Sequence, residues 1–271
     1  MKKTQNLKRW GIAALTTTIL AGGFLPNSSY AAEKDSTNLV HFESNMPESA
    51  KKLSIIDTET SGKEYLTDVE VKTISPYKLN AIYEELEGDI QNGKYSEEEL
   101  NQIVAEKIKS KRSVVRAFSY EIPGFDKLTD AEVNLAKQHP VEFVTYASCS
   151  VQAKSESEKY YGESQLTQGN GDAFRHSYWN AILLKGLAGS KGRDYGDGRA
   201  KAWTDAHEQN SWGIDKEMDL HNNWFGRMAT YNNYGWSNPQ LSNHLRGAVR
   251  NGSMARIVNE QLVRTNGETG K

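Results

Sequence analysis

The sequence predicts a mainly α protein: a C-terminal multi-helix bundle, preceded by a helical hairpin and by an N-terminal segment that is poorly structured or partly β. Three observations predict it. Apolar residues recur at helical spacing in two stretches between Pro76 and Ser110. Helix-start and helix-stop chemistry repeats from Thr129 onward. Residues 32–52 are polar and show no period, so they read as a mobile segment.

The chain opens with Lys2, Lys3, Lys8 and Arg9, an apolar run from Trp10 to Leu25, Pro26, and a small-residue ending at Ser29-Tyr30-Ala31. That order reads as a secretory signal peptide over residues 1–31, cleaved after Ala31. No later stretch reaches the ~20 apolar residues a bilayer span requires. No Leu-Pro-x-Thr-Gly sorting end is present either. The mature chain is therefore expected to be secreted, extracellular and soluble, with no transmembrane or covalent wall anchor.

Charge divides the rest. Residues 32–126 hold 12 basic and 19 acidic groups, whereas 127–271 hold 17 and 16, which marks two different units. Neither carries the basic footprint of a nucleic-acid binder, and no nucleic-acid partner is expected. Cys149 is the only cysteine, so an intrachain disulfide is excluded; a buried thiol on a helix is the expected role.

Weak alternation around Ser61-Gly62, with Leu53, Ile55, Val69 and Val71 pointing inward, predicts a β-hairpin within the 32–76 segment. Beyond Pro76, Leu79, Ile82, Tyr83, Leu86 and Ile90 form one helical stripe; Leu100, Ile103, Val104 and Ile108 form a second. Asn92-Gly93 separates them, and Ser96 with Glu99 makes a capping box. A calcium loop at this turn fails on register, because its first ligand positions would fall on Gly88 and Ile90. Residues 77–125 are thus an acidic helical hairpin and linker, closed by Ile122-Pro123-Gly124.

A helical domain is expected over 126–265, with a flexible tail at 266–271. Thr129 and Glu132 form a capping box, and Leu128 with Val133 a hydrophobic staple. His139-Pro140 ends that helix and starts a long one to about Tyr161. Further helices are expected at 172–187, 198–210, 215–230 and 239–250, the last with Asn238 as N-cap and Asn251-Gly252 as its stop. A Gly-rich connection is expected from Gly189 to Gly198.

Four of the six His and five of the six Trp lie between residues 176 and 244. In and just before that stretch, Asp172, His176 and Asn180 share a helix face at i, i+4 and i+8; Asp205 and Glu208 are an i, i+3 pair beside His207; Asp219 and Asn223 are i, i+4, as are Glu217 and His221. Carboxylates close to His among aromatic side chains have shifted pKa values, upward from desolvation or downward where Arg175 or Arg227 pairs with them. This predicts a centre in which His176 is a base oriented by Asp172, with Glu208 or Asp219 as acid. The remaining candidates, Arg175, Asn180, Asp205, His207, His221, Asn223 and Arg227, bind or position. A divalent metal is compatible with the set, while no nucleotide or redox cofactor is expected. A zinc-protease helix is excluded, since Ser211 stands where the second His would be. The bland alternative is a buried hydrogen-bonded network that fixes helix register, with Asp172 doubling as a helix cap.

The run Gly169-Asn170-Gly171-Asp172-Ala173-Phe174-Arg175-His176-Ser177-Tyr178-Trp179-Asn180-Ala181, with Ala206-His207-Glu208 and Met218-Asp219-Leu220-His221-Asn222-Asn223, resembles a bacterial secreted domain family of unknown function over about residues 127–262. The resemblance implies a Gram-positive secreted protein and no particular reaction. A more distant similarity, through Asp172, His176, Asn180, Asp205, Glu208, Asp219, Asn223 and Gly226-Arg227 in order, is to serum amyloid A. It implies a four-helix fold in which these polar residues hold the helices together, and a lipid-carrying role. Two function classes follow: a hydrolase-like or toxin-like effector acting at a cell envelope, or a non-catalytic module binding lipid or a partner protein.

Overall fold

The structure, a computed structural model, describes residues 45–52, 62–110 and 127–271. The expected signal peptide, Leu53 and Ile55 of the expected hairpin, and the Ile122-Pro123-Gly124 boundary lie outside the described residues. The described residues contain ten α-helices and one two-stranded sheet, so the protein is mainly helical. None of these helices is long and apolar enough to cross a membrane.

The first helices are short. Helix α1 (Glu48–Lys51) seats Met46 and Ala50 beside Leu220 and Trp224, so this end of the polar segment is anchored. Helix α2 (Asp68–Thr73) occupies part of the stretch whose alternation suggested a strand. Thr67 and Glu70 form a capping box there, and the helix buries Val71 while leaving Val69 54% exposed. Local capping outweighs a two-residue alternation. The hairpin helices α3 (Pro76–Asn92) and α4 (Glu97–Ser110) follow the predicted stripes, burying Leu79, Ile82, Tyr83 and Leu86, then Leu100, Val104 and Ile108. Between them Gly93 has φ +62°, the left-handed conformation that ends a helix cheaply only at glycine.

Helices α5 (Asp130–Gln138) and α6 (Pro140–Tyr160) share His139 as cap, with Pro140 opening the second. Helix α7 (Asn170–Ala188) is buried over nearly its whole circumference and packs against α6, α8 (Arg193–His207), α9 (Gly213–Asn232) and α10 (Asn238–Arg250). A helix surrounded in this way has no solvent face for its polar residues, so Asp172, His176 and Asn180 are buried along with its apolar ones. Close approach is what the glycines supply: a Cβ on Gly226 would stand 1.9 Å from the Ser177 carbonyl oxygen, and one on Gly196 2.4 Å from that of Leu184. Helix α8 therefore starts at Arg193, inside the run expected to be a connection, since Gly196 is a packing residue. Helix α10 is capped by Ser237, whose box partner is Gln240, one residue before the predicted Asn238.

Tyr146, Trp179 and Trp203 meet at the centre, with Tyr146 4.9 Å from Trp179 and 4.7 Å from Trp203 between ring centroids. Strands β1 (Ala255–Val258) and β2 (Gln261–Arg264) pair antiparallel around Asn259 and Glu260, both at positive φ. The short alternating runs carry only a weak sequence signal, and the hairpin was not expected. Asn222 of α9 holds it by exchanging two 3.0 Å hydrogen bonds with the Ala255 backbone. Ile257 N–H then donates to the Gln168 carbonyl at 2.8 Å, bracing the segment that leads into α7.

Candidate functional site

Asp172 lies in the first turn of α7, where a carboxylate suits the positive end of the helix dipole. Its Oδ2 accepts the Gln168 N–H at 2.7 Å, and its Oδ1 pairs with Arg175. Asp172 is therefore not the N-cap: Gly169 holds that position with no side-chain cap bond, and Asp172 instead reaches back to the segment before the helix. One turn on, His176 is 4% exposed. Its Nδ1 sits 3.2 Å from Asn223 Oδ1 across the α7–α9 contact. Asn180 Nδ2 donates to that same oxygen at 2.7 Å and to the His176 carbonyl at 3.1 Å.

An amide oxygen only accepts, so Nδ1 carries the proton and Nε2 a lone pair. The orienting group is therefore Asn223, not Asp172 as the helical spacing suggested. Asp172 instead lies on the other side of the ring, its Oδ1 3.5 Å from Nε2. Asp219 Oδ1 stands at the same 3.5 Å distance, and Arg175 Nη2 at 3.1 Å. Burial first, then the Arg175 charge, push the His176 pKa down to about 3, so the ring is neutral near pH 7.

Glu208 enters from the 3-10 turn Glu208–Asn210 that ends α8. It is 1% exposed, and its Oε1 has no hydrogen-bond partner among the described residues. Asp219 Oδ1 and Asn223 Nδ2 are also buried without one. Burial raises the pKa of both carboxyls, and at Asp219 the charges of Glu208 and Asp172 add to it. One ligand-type atom from each of His176, Glu208 and Asp219 lies within 4.8 Å of the other two. Such a set is able to share protons or to hold a cation.

A second layer backs the cluster. His207 Nδ1 is 3.0 Å from Glu132 Oε1, and the Tyr146 hydroxyl donates to that oxygen at 2.6 Å. Glu132 also accepts the Thr129 N–H at 2.7 Å, so the capping residue read from sequence is fully buried in the tertiary structure. Burial alone would lower the His207 pKa, but the charge and hydrogen bond of Glu132 outweigh it and raise it. Glu132 and Tyr146 are missed by sequence reasoning: a cap glutamate looks the same whether or not another helix later covers it.

The other candidates separate. Asn180 Oδ1 accepts from Thr204 Oγ1 at 3.1 Å and Arg227 Nη1 at 3.0 Å, and Arg227 Nε reaches Asp197 at 3.2 Å, a network joining α7, α8 and α9. Asp205 pairs with Lys201. His221 turns away from the cluster: its Nε2 lies 3.3 Å from the Ser253 carbonyl, and burial lowers its pKa to about 4. Cys149 is buried in α6, where burial raises its thiol pKa. A cavity of about 120 Å³ lies elsewhere, lined by Ile90, Leu100, Val141 and Leu187 with Glu97 and Lys191, and none of His176, Glu208 and Asp219 lines it.

Residues 133–253 match the model of a family described as Domain of unknown function (DUF6973). The match takes in His176, Glu208 and Asp219 with the helices that carry them. No curated protein and no solved structure matches the chain.

Proposed function

We propose that the chain is a secreted bacterial effector with hydrolase-like activity, centred on His176, Glu208 and Asp219. The observation that carries this reading is the pair of buried carboxyl oxygens, Glu208 Oε1 and Asp219 Oδ1, left without hydrogen-bond partners among the described residues beside the His176 lone pair. A network that served the fold alone would satisfy them, because each unmet buried polar atom costs about 1–3 kcal/mol. In this centre a carboxyl kept protonated by burial donates to a leaving group, while His176 Nε2 accepts a proton from attacking water once Arg175 turns from it to the substrate, a move that also lifts part of what holds its pKa down. Arg175, held by Asp172, faces negative charge developing on the substrate. Trp212, 84% exposed just past the Glu208 turn, offers an aromatic face for substrate.

The second reading is a non-catalytic module that binds lipid or a partner protein. It is favoured by the Asn180–Thr204–Arg227 network, whose buried bonds tie three helices together. Cleavage assays on phosphodiesters, lipid esters and wall glycopeptides separate the two. The active-centre reading expects one class to be cleaved, and Glu208→Gln and Asp219→Asn to abolish cleavage with little change in melting temperature. No cleavage, together with a stability loss of roughly 1–3 kcal/mol for each variant, supports the binding module.

A further inference from the structure

We propose that His176 Nε2, Glu208 and Asp219 bind one divalent transition-metal ion. The inference rests on the same three residues forming a working centre, and with an ion bound it replaces the proton transfers given to them above: Nε2 and the two carboxylates would be ligands, and the ion would activate the attacking water. The Nδ1–H of His176 is committed to Asn223, so the Nε2 lone pair faces Asp172 Oδ1 and Asp219 Oδ1, each 3.5 Å away. Arg175 Nη2 stands 3.1 Å from Nε2 and pairs with Asp172, so it meets the first of these contacts; the Nε2–Asp219 contact, with Asp219 Oδ1 unpartnered among the described residues, is the one that calls for a proton or a cation. A tetrahedral ion with bonds of about 2.0–2.1 Å places its ligand atoms roughly 3.4 Å apart, which is close to the observed His176–Asp219 separation. The third ligand needs only a small side-chain movement, since the three atoms already lie within 4.8 Å of one another.

Glu208 is the independent witness. Its carboxylate is 1% exposed, and its Oε1 has no partner among the described residues. Glu132 already faces His207 and Asp172 already faces Arg175, whereas Glu208 and Asp219 have no paired Lys or Arg among the described residues. The hydrogen bond from Nδ1–H to Asn223 is the outer-shell support that orients a metal-binding imidazole. Arg175, anchored on Asp172, is the group that yields Nε2 to the ion.

A second cluster, Glu97, His139 and Glu142, has similar spacing but the opposite electrostatics. Glu142 already accepts from Arg199 at 2.8 Å, Trp203 Nε1 at 2.8 Å and the Tyr195 hydroxyl at 3.2 Å, while Glu97 pairs with Lys191 at 2.6 Å. Its charges are met, so it needs no ion. One imidazole and two carboxylates select Zn²⁺ or Mn²⁺ over Ca²⁺, which prefers an all-oxygen shell.

The test uses the full chain, stripped with chelator and titrated with Mn²⁺, Zn²⁺ and Ca²⁺ by calorimetry, with pulsed electron paramagnetic resonance of the Mn²⁺-loaded protein. Expected are one ion per chain, weaker Ca²⁺ binding, and coupling of Mn²⁺ to one histidine nitrogen. His176→Ala removes that coupling, and Asn223→Ala weakens binding by roughly 10–100-fold. Absence of saturable Mn²⁺ and Zn²⁺ binding overturns the site. So does bound Mn²⁺ with no nitrogen coupling, a readout on the unmutated protein that does not depend on any variant folding. An ion on His176 without hydrolysis leaves the site standing and removes the activity reading; hydrolysis that survives complete chelation does the reverse.

Discussion

Gly226→Ala tests whether the α7–α9 contact sets the geometry of the centre. The new Cβ would meet three backbone atoms of Ser177, at 1.9, 2.6 and 2.7 Å, so no side-chain rotation relieves the clash. Ordinary contact begins at 3.4 Å, and the helices must therefore part by about 1.5 Å. The neighbouring links across this contact are short: Asn223 Oδ1 is 3.2 Å from His176 Nδ1 and 2.7 Å from Asn180 Nδ2. A parting of that size stretches both beyond hydrogen-bonding range. Two lost bonds at about 1 kcal/mol each, with overpacking of about 1–3 kcal/mol, predict a loss of roughly 3–5 kcal/mol. At about 2–4 °C per kcal/mol for a chain of this size, the melting temperature should fall by roughly 6–20 °C. Calorimetric melting and urea unfolding measure it. The control is Gly198→Ala in α8, where nothing lies within 4 Å of the added carbon and the better helix former should be neutral or stabilising. A Gly226→Ala melting temperature within about 2 °C of the parent would refute the reasoning.

Two further variants test the charged pairs. Burial opposes ionisation of Glu142, but Arg199 outweighs it and holds the carboxyl below its usual pKa. Its contribution is therefore present above the unfolded value of 4.5 and lost as pH falls through the folded value. Arg199→Ala should cost about 3–5 kcal/mol at neutral pH, and less below about pH 4.5, where the stranded carboxyl takes up a proton; a loss that did not vary between these conditions in urea unfolding would contradict this. Glu132 raises the His207 pKa, so this pair stabilises below the unfolded value of 6.5 and loses its effect as pH rises through the folded midpoint. In Glu132→Gln the His207 midpoint, followed by imidazole proton resonances, should drop, and the stability loss should be larger near pH 6 than near pH 9. An unchanged midpoint would show that Glu132 does not control this ring.

Much of the helical framework is legible because helix signals are local. Ser96 with Glu99, Thr129 with Glu132, and Pro140 act within one turn, and the stripe from Leu79 to Leu86 repeats every turn. The N-terminal alternation around Val69 and Val71 misled for the same reason: over so few residues, period two and period 3.6 are separated only by the cap at Thr67. The β1–β2 hairpin was missed because its strands depend on Asn222, more than 30 residues away in sequence.

The candidate centre divides along the same line. That Asp172, His176 and Asn180 share a face follows from sequence alone, since helical geometry fixes the direction of side chains four residues apart. Which faces meet was decided by the tertiary fold. Close packing at Gly226 brought Asn223 rather than Asp172 to His176 Nδ1, set Asp219 and Glu208 near Nε2, and turned His221 towards Ser253. It also buried Glu132 against His207, 75 residues further along the chain. Such pairings depend on the rotation and depth of each helix against its neighbours, which are set by packing the whole core at once, and no local spacing encodes them.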